Sequence, residues 1–148
     1  MNTSILKKSF IFFCLFFISN TLVGQQKEGS IITLICDNIA IDIMEVDTSV
    51  SFKGDLLILP GWNFERTRWC SESSLCKEAH RAGDRLIMPE MGKSIYATYY
   101  FPQTRKDWLR YPTLTWLLDT MIPFLQQQVG VFLTSDNFMI GLSTGARG

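Results

Sequence analysis

Residues 137–145 have the sequence Asn137-Phe138-Met139-Ile140-Gly141-Leu142-Ser143-Thr144-Gly145. The first four residues predict a short apolar strand. The next five match the Gly-x-Ser-x-Gly pattern of a nucleophile elbow, in which a serine occupies a strained turn between a strand and a helix. Glycine suits Gly141 and Gly145 because a side chain in so sharp a turn would collide with neighbouring backbone. The alternative is an ordinary Gly-Ser turn, since so short a pattern also occurs by chance.

The elbow interpretation gives specific roles to backbone groups around the serine. The hydroxyl of Ser143 would lie above the strand ends, and the N–H of Thr144 would point to the position at which an oxyanion forms. We expect a second N–H donor from Trp62, because Leu59-Pro60-Gly61-Trp62 ends an earlier apolar strand. Two simpler alternatives stay open there, a Pro-Gly turn that only reverses the chain and a packing role for the Trp62 side chain.

Upstream of the elbow, the pattern of apolar residues predicts four more strands. Two β-branched runs, 31–35 and 39–44, are separated by Asp37-Asn38, which indicates a hairpin. The run 55–59, which is apolar after Asp55, is typical of a strand buried on both faces, as in a parallel sheet. Residues 85–89, which end in Pro89, predict the next strand.

Helices are expected between these strands. Ser71 is a suitable N-cap for a helix to about Ala82, with Gly83 as its stop. A second helix would begin at Pro112 and continue through Leu125, with a kink or break caused by Pro123 within it. Residues 91–110, which are aromatic and polar without a clear period, predict a long loop. The alternation indicates an α/β fold with a mostly parallel sheet and an antiparallel N-terminal hairpin at its edge.

The N-terminus has the features of a secretory signal peptide. Lys7 and Lys8 precede an apolar run over 10–18, and small and polar residues lead to an expected cleavage site after Gly24. The apolar run is about half of the roughly 20 residues that a membrane-spanning helix needs. We therefore expect a signal peptide over 1–24, a domain over 25–148 with no stable membrane span, and a periplasmic or secreted location. A buried N-terminal strand or helix is the alternative.

Charge and cysteine content exclude several classes of protein. The chain has 14 basic and 14 acidic residues, which excludes a strongly basic nucleic-acid binder and an acidic disordered tail. An exported protein with Cys36, Cys70 and Cys76 would have one disulfide and one spare thiol. Closeness in sequence favours the pair Cys70 and Cys76, and the other pairings stay open. The cysteine spacing does not indicate a zinc site, and the acidic residues over 42–47 favour a solvated face over a calcium site.

The order of motifs resembles a known enzyme family. Met91-Gly92-Lys93-Ser94-Ile95-Tyr96, a helix closing in Met121-Ile122-Pro123-Phe124-Leu125, and the elbow over 141–146 follow one another as in the esterase D branch of the α/β-hydrolase superfamily. This branch of putative esterases includes S-formylglutathione hydrolases and mycolyltransferases. The resemblance runs from about Asp55 to Gly148 and implies the N-terminal part of an α/β-hydrolase fold that ends at the elbow. The sequence departs from the family pattern at Thr144 and at Ala146-Arg147.

Serine attack requires a general base and a carboxylate that orients it. In this fold the order along the chain is Ser, then Asp or Glu, then His, and after Ser143 the sequence has neither an acid nor a histidine. His80 lies upstream on a predicted helix, where we expect a surface or packing residue. We therefore expect a C-terminally truncated sequence whose Asp and His lie beyond residue 148.

Together these features predict an exported serine hydrolase that forms an acyl-enzyme at Ser143 and acts on a small-molecule or carbohydrate-linked carboxylic ester. The resemblance implies no metal and no organic cofactor, and it leaves acyl transfer open beside hydrolysis. A secreted serine peptidase of the same fold is the first alternative. The second is a non-catalytic, carbohydrate-associated or scaffold protein that retains the elbow. The sequence leaves the oligomeric state open.

Overall fold

The computed structural model describes residues 29–99 and 114–147. The signal peptide expected over 1–24 and the helix start expected at Pro112 lie outside the described residues. Five strands form one sheet: β1 Ile31–Cys36, β2 Ile39–Met44, β3 Gly54–Leu59, β4 Asp84–Pro89 and β5 Phe138–Gly141. Each of them was expected from its run of residues, and no end differs from the expected one by more than one residue.

The sheet has the strand order β1-β2-β4-β3-β5. β3 pairs in parallel with both β4 and β5, while β2 pairs antiparallel with β1 and β4. Asp37 and Asn38 both have positive φ, 49° and 65°, as a tight two-residue hairpin turn requires. The predicted α/β architecture is therefore confirmed, with the antiparallel hairpin at one edge and β3 between its parallel neighbours.

Two hydrophobic cores cover the two faces of β3, whose six residues are all buried. Leu57 and Leu59 belong to one core, where the helical segment after residue 114 packs on the sheet. Leu56 and Ile58 belong to the other core, together with residues of the helices after β3. Successive side chains of a strand point to opposite faces, which explains why a strand covered on both faces has a continuous apolar sequence.

The helix expected over 71–82 is two helices, and the prediction of Ser71 as its N-cap was wrong. α1 spans Arg68–Glu72 and α2 spans Leu75–Ala82, with Ser73 in an extended conformation between them. The Ser73 hydroxyl donates to the carbonyl of Trp69 and accepts the N–H of Leu75. Serine side chains compete in this way with helical hydrogen bonds. The predicted stop was correct, because Gly83 ends α2 with φ of 96°.

The second helical segment has a break, as Pro123 predicted. It consists of α3 Leu114–Trp116, a π-helical turn Leu117–Met121 and α4 Ile122–Val129. The N–H of Ile122 donates to the carbonyl of Leu117, five residues earlier. Pro123 has no N–H to continue the ordinary ladder, and the wider turn directly precedes it.

A buried ion pair joins the amino ends of β3 and β4. Nε of Arg85 lies 2.7 Å from a carboxylate oxygen of Asp55, which is 1% exposed. The carboxylate of Asp55 also accepts the N–H of Phe132 at 2.6 Å. The same guanidinium donates to the carbonyls of Val129 and Gly130, at 2.9 and 3.0 Å. The pair therefore ties the C-terminal end of α4 to the sheet.

We expect Asp55→Ala to lower the free energy of unfolding by about 3–5 kcal/mol, because the buried Arg85 charge loses its nearest carboxylate and keeps only Glu45, at 4.0 Å. Urea unfolding followed by circular dichroism measures this change. Glu78→Ala breaks the exposed pair with Arg81 and should cost at most about 1 kcal/mol. Equal losses in the two variants would contradict a structural role for the buried pair.

Candidate active site

The elbow has the backbone geometry that its sequence predicts. β5 ends at Gly141, and a 3-10 helix spans Ser143–Arg147. Ser143 is the first residue of this 3-10 helix, with φ of 55° and an exposed side chain. A non-glycine residue in this left-handed region carries strain of about 1–3 kcal/mol, and such residues concentrate at functional sites.

The two glycines of the elbow are required by close contacts between backbone segments. A Cβ on Gly141 would lie 2.2 Å from the carbonyl oxygen of Gly145. A Cβ on Gly145 would lie 2.4 Å from the carbonyl oxygen of Leu59. Both distances are well inside van der Waals contact, so only glycine allows the turn to close on itself and to pack on the end of β3.

The elbow and the segment after β3 lie side by side, because β3 and β5 are parallel neighbours whose carboxyl ends meet at one edge. The N–H of Leu142 lies 3.4 Å from the carbonyl of Leu59. This contact brings together the two chain segments that carry the predicted N–H donors, Thr144 and Trp62. Ligands bind at this edge in open α/β sheets.

The loop over 60–64, which contains Trp62, is held in a defined conformation. The N–H of Phe64 donates to the carbonyl of Gly61 at 3.2 Å, which closes a turn. The N–H of Asn63 donates to the carbonyl of Gly92 at 2.8 Å, and Asn63 has φ of 55°. The segment after β4 therefore supports this loop through its backbone.

Tyr96 adds a second support to the same loop. Its buried phenol donates to the carbonyl of Pro60 at 2.8 Å. Tyr96 has φ of 52°, and its own N–H donates to the hydroxyl of Ser94, which is also buried. Burial, and secondarily the charge of Glu90, raises the pKa of the Tyr96 phenol. The phenol therefore keeps its proton, and with it this hydrogen bond, well into the alkaline range.

An ion-pair network lies at the far end of the loop. Nε of Arg66 lies 2.7 Å from a carboxylate oxygen of Asp42, and its guanidinium lies 3.3 Å from Glu90. Asp42 is 4% exposed and also accepts the hydroxyl of Thr33 at 2.7 Å. The expectation of a solvated acidic face was therefore wrong at Asp42, because a partner 24 residues away takes up its charge.

His80 lies away from the elbow. It is on α2, which ends directly before the amino end of β4, whereas Ser143 follows the carboxyl end of β5. Its ring is next to Gly29. Its Nδ1 is buried and has no hydrogen-bond partner among the described residues. The expectation of a packing residue agrees with this position.

The remaining polar groups of the described residues give no sign of a metal site. Cys70 and Cys76 form a disulfide between α1 and α2, and Cys36 is a buried free thiol whose pKa burial raises. Over residues 29–99 and 114–147, no three His, Cys, Asp or Glu side chains are grouped so that they could hold a metal ion. No helix in that part of the chain has the length and apolar character needed to cross a bilayer.

Sequence reasoning found the elbow and the turn after β3, but it missed the residues that support them. In the sequence, Tyr96 is visible only as part of the motif over 91–96 and of the aromatic stretch over 91–110, and no pattern points to Arg66. The hydroxyl of Thr144 is buried with no partner among the described residues, which the sequence pattern also did not indicate. These features depend on contacts between distant parts of the chain.

Comparison with known proteins gives solved structures of similar fold. No protein-family model and no curated protein matches the sequence. The chain is similar to the substrate-bound structure of FphF, a fluorophosphonate-binding serine hydrolase of Staphylococcus aureus. The TM-score is 0.60 at 20% identity, over 80% of this chain and 49% of that one. It is also similar to a ferulic acid esterase, with a TM-score of 0.58 at 15% identity, over 82% of this chain and 52% of that one.

At identities this low, the structural similarity shows the fold alone, and the activity has to be argued from the site. The chain spans about half the length of both solved structures. Its mixed sheet, its antiparallel hairpin and its elbow after β5 agree with the expectation drawn from the motifs. The chain therefore has the α/β-hydrolase fold.

Proposed function

We propose that this protein is a serine hydrolase that acts on carboxylic esters through an acyl-enzyme at Ser143. One observation carries the proposal: Ser143 is an exposed serine with φ of 55°, at the start of a 3-10 helix and two residues after the end of β5. The loop over 60–64 lies against this turn, as an oxyanion-binding loop would. A small-molecule or carbohydrate-linked ester is the proposed substrate.

The reaction would have two steps. Oγ of Ser143 attacks the ester carbonyl carbon and its proton passes to a general base, which then protonates the leaving alcohol as the C–O bond breaks. Water attacks the acyl-enzyme in the second step and releases the acid. In both steps, N–H groups of Thr144 and Trp62 would stabilise the negative oxygen. A preorganised donor of this kind contributes a factor of roughly 10²–10³ to kcat.

The general base and its orienting carboxylate are proposed to come from sequence beyond residue 148. His80, the only histidine of the chain, lies at the opposite end of the sheet from Ser143. The solved structures with this fold are about twice as long as the part that matches. In this fold the acid and the histidine follow the serine along the chain. The activity is therefore proposed for a protein longer than this sequence.

Export is proposed from the signal-like N-terminus over 1–24. The Cys70–Cys76 disulfide supports an oxidising compartment, because structural disulfides persist outside the cytosol and are rare within it. The proposed location is the periplasm or the extracellular space.

The full-length protein should hydrolyse p-nitrophenyl esters faster than aminoacyl p-nitroanilides, because the proposed chemistry is ester hydrolysis. Comparison of kcat/KM for the two substrate classes tests this directly. Faster anilide turnover would indicate a peptidase and contradict the proposal. Absence of turnover on both classes, in a folded full-length protein, would favour a non-catalytic protein that retains the elbow.

Tyr96→Phe should lower kcat with little change in KM, because it removes the hydrogen bond that orients the Pro60 carbonyl next to the proposed donor loop. We expect a fall of roughly tenfold, smaller than the 10²–10³ lost with a whole oxyanion donor. The free energy of unfolding should fall by about 1–3 kcal/mol, since a buried carbonyl loses its partner. Tyr99→Phe, at a tyrosine that is 66% exposed, is the matched control. A purely structural role for Tyr96 would lower stability and leave kcat unchanged.

A further inference from the structure

A cavity of about 170 Å³ lies beside the elbow, between α1 and the carboxyl ends of β3 and β5. Pro60, Phe64, Trp69 and Leu142 form most of its wall. Pro60 begins the loop that carries Trp62, and Leu142 directly precedes Ser143. The cavity is therefore next to both parts of the proposed catalytic machinery.

The ring of Phe64 connects this cavity with the backbone of the site. A Cβ on Gly61 would lie 3.1 Å from carbon atoms of the Phe64 ring and 3.0 Å from the carbonyl oxygen of Leu142. The ring thus packs close to Gly61, one residue before the proposed donor Trp62. A change in the volume of this side chain alters the cavity within one residue of the proposed oxyanion site.

The charged groups at the edge of the cavity are already paired with one another. Nε of Arg68 lies 2.7 Å from a carboxylate oxygen of Glu72, and its guanidinium lies 3.8 Å from the centre of the Phe64 ring. Arg68 and Glu72 are both on α1, and the disulfide between Cys70 and Cys76 ties this helix to α2. Among the described residues, the cavity therefore has mostly apolar walls and no unpaired charge that would bind a charged ligand.

We propose that this cavity is the acyl subsite, and that it takes an uncharged acyl group no larger than one six-membered ring or a short alkyl chain. An apolar cavity of roughly 150 Å³ is large enough for benzene. The acyl group stays bonded to Ser143 after the alcohol leaves, and the residue before Ser143 lines the cavity. This inference rests on the proposed function and adds the size and polarity of the acyl group.

The test uses p-nitrophenyl esters from acetate to dodecanoate, and the benzoate, with the full-length protein. We expect kcat/KM to rise about fourfold for each methylene group up to a short chain, as burial of a methylene predicts, and then to fall for longer chains. Phe64→Ala enlarges the cavity and should raise the ratio of octanoate to butanoate turnover by roughly tenfold. Phe52→Ala, at an exposed phenylalanine that packs on Arg85, should leave this ratio unchanged.

A second variant, at Ser73, allows the proposal to be tested even if the Phe64→Ala protein does not fold. Ser73 is an exposed residue that also lines the cavity. Ser73→Thr keeps the hydroxyl that bonds to Trp69 and Leu75 and adds a methyl group at the cavity wall, so it should move the preference to shorter acyl groups. An unchanged chain-length profile in both variants would overturn the acyl-subsite proposal.

The alcohol series distinguishes the two sides of the ester. For acetate esters of alcohols of increasing size, kcat/KM should depend on the size of the alcohol in the same way in wild type and in Phe64→Ala. If the substitution changed the dependence on alcohol size and left the dependence on acyl size unchanged, the acyl assignment would be overturned. A flat acyl profile in an enzyme whose Ser143 still reacts with a fluorophosphonate would overturn the subsite alone. A folded full-length protein with neither ester turnover nor labelling would overturn the proposed function and the subsite with it.

Discussion

Ser143→Ala is expected to abolish fluorophosphonate labelling of the full-length protein and to reduce ester hydrolysis by a factor of roughly 10⁴ or more, as loss of a catalytic serine does in other hydrolases. The hydroxyl is the only group on this residue that can form the acyl or phosphonyl bond. Labelling measured by gel fluorescence and kcat/KM measured with a p-nitrophenyl ester give two independent readouts. Thermal unfolding should change little, because the Ser143 side chain is exposed.

Ser135→Ala is the matched control, since Ser135 is also an exposed serine but lies in the loop before β5. It should retain full labelling and full turnover. Labelling that survives Ser143→Ala, or that is lost in Ser135→Ala, would show that the elbow serine is not the nucleophile.

Gly145→Ala is expected to have the second largest effect. Its Cβ would lie 2.4 Å from the carbonyl oxygen of Leu59 and 2.8 Å from that of Pro60, so the elbow must move away from the end of β3. A displacement of about 1 Å in a catalytic site costs on the order of 10²-fold in rate. The rate of fluorophosphonate labelling should fall by at least that factor, and the melting temperature should also fall.

Gly130→Ala is the control for Gly145→Ala, because it adds backbone strain at a glycine outside the elbow. Gly130 has φ of 62° and its nearest neighbour is the flexible side chain of Leu133 at 3.3 Å. Its carbonyl accepts from Arg85 at the amino end of β4, whereas the elbow lies at the carboxyl ends of the parallel strands. We expect it to lower stability through the positive φ and to leave the labelling rate of the folded protein unchanged. Equal labelling rates in Gly145→Ala and wild type would contradict the close packing of the elbow on β3.

The strands and the elbow could be predicted from the sequence because their signals are local. A continuous apolar run such as 55–59 reflects burial on both faces, and Gly141 and Gly145 reflect close contacts within a few residues of the serine. The break at Pro123 is local as well, since it follows from a missing N–H. In each case the cause lies within the segment that shows it.

The features that could not be predicted depend on partners distant in sequence. Nothing around Asp55 or Tyr96 indicates that their partners are Arg85 and Pro60, because only the folded chain brings these residues together. The division of the expected helix at Ser73 depends on hydrogen bonds of one hydroxyl that compete with the helical pattern. A sequence pattern shows that a serine is a suitable cap, but it does not show which of several neighbouring serines will be used.

Identification of the residue that a fluorophosphonate modifies tests the central claim most directly. Trypsin should release residues 111–147 as one peptide, because no Lys or Arg lies between Arg110 and Arg147. Fragmentation of this peptide by mass spectrometry locates the adduct. We predict a single phosphonyl adduct on Ser143. An adduct on another residue, or an unmodified 111–147 peptide from a labelled protein, would contradict Ser143 as the nucleophile.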